Sequence, residues 1–247
     1  LKQHISNFIN YIFKDKTKSG PKRQSDWQNG WQQNLDEFLQ TGFNTEALIP
    51  HYYRRGQNIM RLNGRFIIPE DPMFENKFRE LMLIALSEKY LKDCNKFYEF
   101  AAGPCHNIVT LAENSVEKNF YATDWVESSQ EIMGHINSQK RKLGFGSHAF
   151  FAKKFDFFKP DHSFEVQPGS VAMTFGGLEQ LGSNFQEVLK YFLLQNDVKF
   201  VHFEPFVELY DRTNLFGELG YRYASERNYL TGYYNALKAL EAEGKIT

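Results

Sequence analysis

From residue 96 onward the chain alternates short, apolar and aromatic runs with helical stretches, and no other feature constrains its fold as much. Strands that each hand over to a helix are the pattern of a parallel sheet built from crossover units, an α/β fold. The runs predict strands over 97–101, 120–123, 149–155, 171–175 and 198–203. Helices are expected over 108–116 and from about 127, where Ser128 and Glu131 have capping-box spacing. A second such box, Ser183 with Gln186, opens a helix carrying Val188, Leu189, Phe192 and Leu193, and two further helical segments cover 206–219 and about 229–243.

The first 94 residues read differently. Gly and Pro punctuate an aromatic-rich stretch, which favours short helices and turns, until a long helix over 74–91 leads into the alternating region. The expected organisation is a helical and irregular extension over 1–94 followed by a core over 95–247.

Composition narrows the function classes. Twenty-nine Lys and Arg balance thirty Asp and Glu, a net charge of -1, so nothing draws the chain to nucleic acid or an anionic membrane surface. No apolar run reaches the ~20 residues a bilayer crossing needs. Two cysteines, Cys94 and Cys105, fit a reduced cytoplasm. Neither they nor the seven histidines have the spacing of a metal site, so no metal is expected. The chain begins at Leu1 without an initiator Met, and a trimmed or processed start is expected.

The chemistry concentrates in Tyr98-Glu99-Phe100-Ala101-Ala102-Gly103-Pro104-Cys105-His106-Asn107. An acidic residue late in a strand, then small residues in a tight turn, then a helix brings a nucleoside close to backbone at the carboxyl edge of a sheet. A dinucleotide fold wants glycines at the first, third and sixth places, which here are Ala101, Gly103 and His106. Pro104 also removes an N–H donor, so NAD, and with it an oxidoreductase, is the weaker reading. A purely structural turn is the plain alternative.

The stretch resembles motif I of the class I S-adenosylmethionine-dependent methyltransferases, an acidic residue followed by Gly-x-Gly-x-Gly, with Ala101 and Cys105 in place of the outer glycines. Asp124 ends the second strand about 20 residues beyond the turn, where an acidic side chain meets ribose hydroxyls, its alternative being a helix cap. Asp156, in Phe155-Asp156-Phe157-Phe158, resembles the family's adenine site and otherwise reads as a surface-turn residue. The resemblance covers about residues 97–204. It implies an open, mostly parallel doubly wound sheet of order 3-2-1-4-5, and S-adenosylmethionine as cofactor with S-adenosylhomocysteine as product. The expected cofactor contacts are Glu99, Ala101, Gly103, Asp124, Trp125, Asp156, Phe157 and Thr174.

Strand four ends in Phe175-Gly176-Gly177-Leu178-Glu179, beside the transferable methyl in the family. The Asn/Asp-Pro-Pro-aromatic signature of base-directed enzymes is absent there. Glu179, His202 and Glu204 are the candidate bases. His202 alternatively reads as a core histidine, and Glu204 as a helix-start carboxylate. Tyr52, Tyr53, Arg54 and Arg55, with Trp27 and Trp31, form either a substrate lid with a cationic clamp or ordinary packing. A small polar metabolite, such as a sugar or sugar-nucleotide hydroxyl, is the expected acceptor. A non-catalytic binding module of the same fold is the other class that fits.

The family's sheet normally ends in a sixth strand and an antiparallel seventh. No strand-length run follows the last helix, so the hairpin is expected to be missing or to lie in a larger polypeptide. The exposed edge would then be covered by another domain or a homo-oligomer partner.

Overall fold

The computed structural model describes residues 6, 9–10, 17–54 and 59–247. The elements run α1 (Gln24–Gln40), β1 (Met60–Leu62), β2 (Arg65–Ile67), α2 (Phe74–Leu86), β3 (Lys96–Phe100), α3 (His106–Glu113), β4 (Asn119–Asp124), α4 (Glu127–Gln139), β5 (Ala149–Lys154), β6 (Ser170–Phe175), α5 (Gln186–Leu193), β7 (Val198–Phe203), α6 (Leu215–Glu226) and α7 (Tyr233–Ala242). A π-helical turn, Ser87–Leu91, extends α2 as far as the helix expected from sequence.

Strands β3 to β7 form one parallel, doubly wound α/β sheet in the order β5-β4-β3-β6-β7, the 3-2-1-4-5 arrangement expected. Side chains of a strand point alternately to its two faces, and both faces here are covered by helices. Phe97, Phe120 and Val171 enter one core with Leu35 and Phe38 of α1, Leu83 of α2, Ile108 of α3 and Ile132 of α4. Tyr98, Phe100 and Ala172 enter the other, with Val188 and Phe192 of α5 and Tyr233 of α7. Same-face rings bind neighbouring strands, as Tyr98 stacks on Tyr121 at 4.2 Å and Tyr121 on Phe151 at 4.7 Å.

Several local expectations are corrected. Neither capping box forms: Val126 N–H donates to Asp124 Oδ1, and Glu127 N–H to Gln28 Oε1 from α1. Gln186 Nε2 instead donates to the Ser183 carbonyl. An Asx turn at Asp211 interrupts the segment expected to be helical from 206, so α6 starts at Leu215 behind an Asn214 cap. The β1–β2 hairpin turns through Asn63 and Gly64, both with positive φ. Among the described residues no further strand joins β5 or β7, and residues 245–247 form none. No helix among them is long and apolar enough to cross a membrane. Both cysteines are buried and free.

Candidate active site

Beyond the carboxyl ends of β3, β4 and β6 lies a cavity of about 620 Å³. Its floor is the turn from β3 to α3. Ala101, Gly103 and Cys105 all have positive φ there, at 58°, 55° and 61°. A left-handed conformation costs an L-residue about 1–2 kcal/mol. Alanine and cysteine at the outer glycine places therefore alter the side chains and keep the backbone that glycine favours. A Cβ on Gly103 would lie 3.2 Å from the Trp31 ring, which closes over the turn.

Asp124, at the end of β4, ties this turn to the next strand. Its Oδ2 accepts from Gly103 N–H at 2.8 Å and its Oδ1 from Val126 N–H at 3.2 Å. The carboxylate is buried yet lines the cavity, and each oxygen has a further lone pair to offer. Burial pushes its pKa up to about 6, against the pull of the backbone N–H groups of Gly103, Val126 and Trp125, so it is mostly ionised at neutral pH.

Of the residues singled out in the sequence, Ala101, Gly103, Asp124, Trp125, Phe157, Glu179, Tyr52 and Tyr53 all line this one cavity. Trp125 stacks on Phe158 at 5.7 Å beside them. Trp27 and Trp31, stacked at 5.3 Å, form the wall supplied by α1.

The remaining candidates lie elsewhere, for identifiable reasons. Glu99 shares a strand face with Phe97 and points under the turn. It accepts from Asn107 Nδ2 at 2.6 Å, and Asn107 in turn accepts from Arg79 at 2.7 Å. Burial raises Glu99 to about 8. It supports the turn from below and is not a cavity contact. Asp156 folds its Oδ1 back onto Phe158 N–H at 2.8 Å, a turn-forming bond. Thr174 is fully buried, and its hydroxyl meets His202 Nδ1 at 3.0 Å in the neighbouring register position. His202 Nε2 meets the Tyr233 hydroxyl at 3.0 Å, and burial drives this imidazole down to about 4. With both nitrogens engaged, it is the core histidine of the plain reading and not a base.

Glu204 is also committed. Its two oxygens accept from the backbone N–H groups of Gly177, Leu178 and Glu179 at 3.1, 3.1 and 3.2 Å. It thereby clamps the loop after β6 and holds Glu179 in place. Burial nevertheless raises Glu204 to about 7. Arg54 spends its guanidinium on Glu37, two bonds of 2.7 Å each, so the expected clamp is an internal ion pair. Arg55 lies outside the described residues.

Glu179 is the carboxyl of the candidate bases that reaches the cavity. Burial and the nearby Glu204 charge raise it to about 8, while Gln180 and Arg23 oppose the shift. Glu75 of α2, Gln180, and Tyr223, Arg227 and Tyr229 at the end of α6 also line it. Sequence reasoning missed these. Glu75 sits in the first turn of α2 and Arg227 just past α6, and no spacing relative to the motif marks either one. His106, the first residue of α3, is buried at the cavity wall against the Tyr53 ring. Among the described residues no group of His, Cys, Asp and Glu is disposed to hold a metal ion.

No protein-family model matches the chain, and no curated protein matches it in sequence. Among solved structures with some likeness is a Bacillus halodurans protein provisionally named a methyltransferase. It is 14% identical, with 66% of this chain and 67% of that one covered, at a TM-score of 0.42.

Proposed function

We propose that this chain is an S-adenosylmethionine-dependent methyltransferase of the cytoplasm acting on a small polar molecule. The observation that carries the reading is Asp124: a buried carboxylate that lines the cavity at the tip of the second core strand, bonded to the N–H of Gly103 in a turn with left-handed backbone. That combination suits a nucleoside whose ribose hydroxyls donate to Asp124 while its chain follows the turn. Gly103 carries no side chain, and the Trp31 ring packs where one would begin. The residues present therefore fit the cofactor. Asp124 would hold the ribose, Ala101 and Gly103 the adjoining chain, and Trp125 and Phe157 the base.

When bound, S-adenosylmethionine supplies an electrophilic methyl group on a sulfonium. The protein's part is alignment and exclusion of water. The aromatic walls of Trp27, Trp31, Tyr52 and Tyr53 shield the reacting centre and give a ring-shaped acceptor, such as a sugar, flat faces to rest on. Glu179, held by the clamped loop, is the carboxyl available to an acceptor's polar group. On the same reading, the free edge of β7 is covered by a further domain or a second subunit.

Calorimetric titration with S-adenosylhomocysteine tests the proposal, and a saturable heat at one site per chain is expected. A change in NADH fluorescence without such heat would favour the oxidoreductase. Cofactor binding with no turnover on any acceptor would favour the non-catalytic module.

A further inference from the structure

The cavity presents hydrogen-bond acceptor atoms to which no described residue donates. Glu75 makes no hydrogen bond or ion pair with any described residue, although it lines the cavity and burial raises its pKa. Glu179 receives the Gln180 amide on Oε1 at 3.1 Å, and no described residue donates to its Oε2. Gln180 is buried, at 9% exposure, and this bond fixes which way its amide faces. The Gln180 Oε1 that remains is itself without a donor. Leaving such an acceptor buried and unmet costs about 1–3 kcal/mol, so a ligand that supplies donors here gains correspondingly.

The same groups surround one set of rings. Glu75 and Glu179 line the same cavity as Tyr52 and Tyr53, whose rings lie 4.6 Å apart. Trp31 meets Tyr52 edge-on at 6.4 Å, and Trp27 stacks behind it. Carboxyls and aromatic faces share one preference, for a cation. The cavity's cations among the described residues are engaged with their own partners: Arg23 with Asp26 at 2.5 Å and over the Trp27 ring, and Arg227 over Tyr223 at 4.0 Å.

We propose that this compartment recognises a protonated amine carried by the acceptor molecule, with Glu75, Glu179 and Gln180 Oε1 taking its N–H groups and Trp31 and Tyr52 facing its charge. The inference rests on the methyltransferase reading and narrows its acceptor class. An ammonium offers three donors and a charge to the two carboxyls, where a hydroxyl offers a single donor and no charge.

The test uses the full chain and two probes of like shape, cyclohexylamine and cyclohexanol, titrated at neutral pH into protein saturated with S-adenosylhomocysteine. The amine is expected to bind at least about tenfold more tightly than the alcohol, the scale of one charge-assisted hydrogen bond. Glu179→Gln and, separately, Glu75→Gln should each cut that preference by about fivefold, with affinity for S-adenosylhomocysteine unchanged. Equal affinity for the two probes, no heat from either, or a preference untouched by both substitutions overturns the inference. So does amine binding that S-adenosylhomocysteine abolishes, because the carboxyls then serve the cofactor's own amino group. Failure of the cofactor reading looks different: the wild type gives no heat with S-adenosylhomocysteine, while the amine preference and its loss in the two variants persist and uphold the amine site.

Discussion

A Cβ placed on Gly177 would lie 2.5 Å from the Cβ of Ala101, so the turn after β3 and the loop after β6 have room for one methyl group between them. Ala101 occupies a place where motif I commonly has glycine, and Gly177 leaves the space that its methyl requires. The side chain of one motif thus dictates the residue in the next.

Gly177→Ala should destabilise the protein by about 1–3 kcal/mol through overpacking. Ala101→Gly added to it should return stability to within about 1 kcal/mol of wild type, since it removes both the clash and a left-handed alanine. Urea unfolding of the two single variants and the double variant measures this. Additive effects would mean that the two residues do not meet.

Glu99 gives the fold a pH dependence of unusual sign. Its folded pKa of about 8 lies above the ordinary carboxyl value of 4.5. Between these values the folded state binds more protons than the unfolded, so stability falls as pH rises across that window and levels off beyond it. Glu99→Gln should flatten the fall while keeping the Asn107 bond. Thermal melts of both proteins from pH 5 to about 8 check it, and parallel curves would refute the assignment.

Glu204 is a clamp in this structure, and its removal should show as lost stability. Glu204→Ala strips acceptors from three backbone N–H groups and is expected to cost about 1–3 kcal/mol in urea unfolding. A variant as stable as the wild type would return Glu204 to the catalytic candidates.

The sheet was legible because its central strands β3, β4 and β6 are largely buried and all five read as short apolar runs; the run over 198–203 became β7 with the same limits, although as an edge strand it is only partly buried. The second strand ends at Asp124, as its run predicted, which puts that carboxylate at the edge of the sheet. Helix starts were less legible. Ser128 and Ser183 had cap spacing, but the local acceptor before α4 is Asp124, on the Val126 N–H, and Gln28 reaches the Glu127 N–H from distant α1. Tertiary donors and acceptors of this kind leave no local trace. The β1–β2 hairpin did leave one, the Asn63-Gly64 pair, in a stretch too short and polar to read as strands.

Within the site, strand alternation separates cavity residues from supporting ones. Glu99 shares the face of Phe97, and Thr174 that of Ala172, so both turn into the packing on the faces of the sheet instead of reaching its edge. Glu75, Gln180 and Arg227 were beyond reach, because their meeting depends on how α2, the loop after β6 and α6 converge, a relationship between distant segments.

The most direct measurement is the affinity of S-adenosylhomocysteine for the wild type and for Asp124→Ala, by calorimetry at neutral pH. The wild type should bind it at one site, and the substitution should weaken binding by about 1.5–3 kcal/mol, the scale of charge-assisted hydrogen bonds. Equal affinity in the two proteins, or no binding by the wild type, would contradict the assignment of this cavity to a nucleoside held by Asp124.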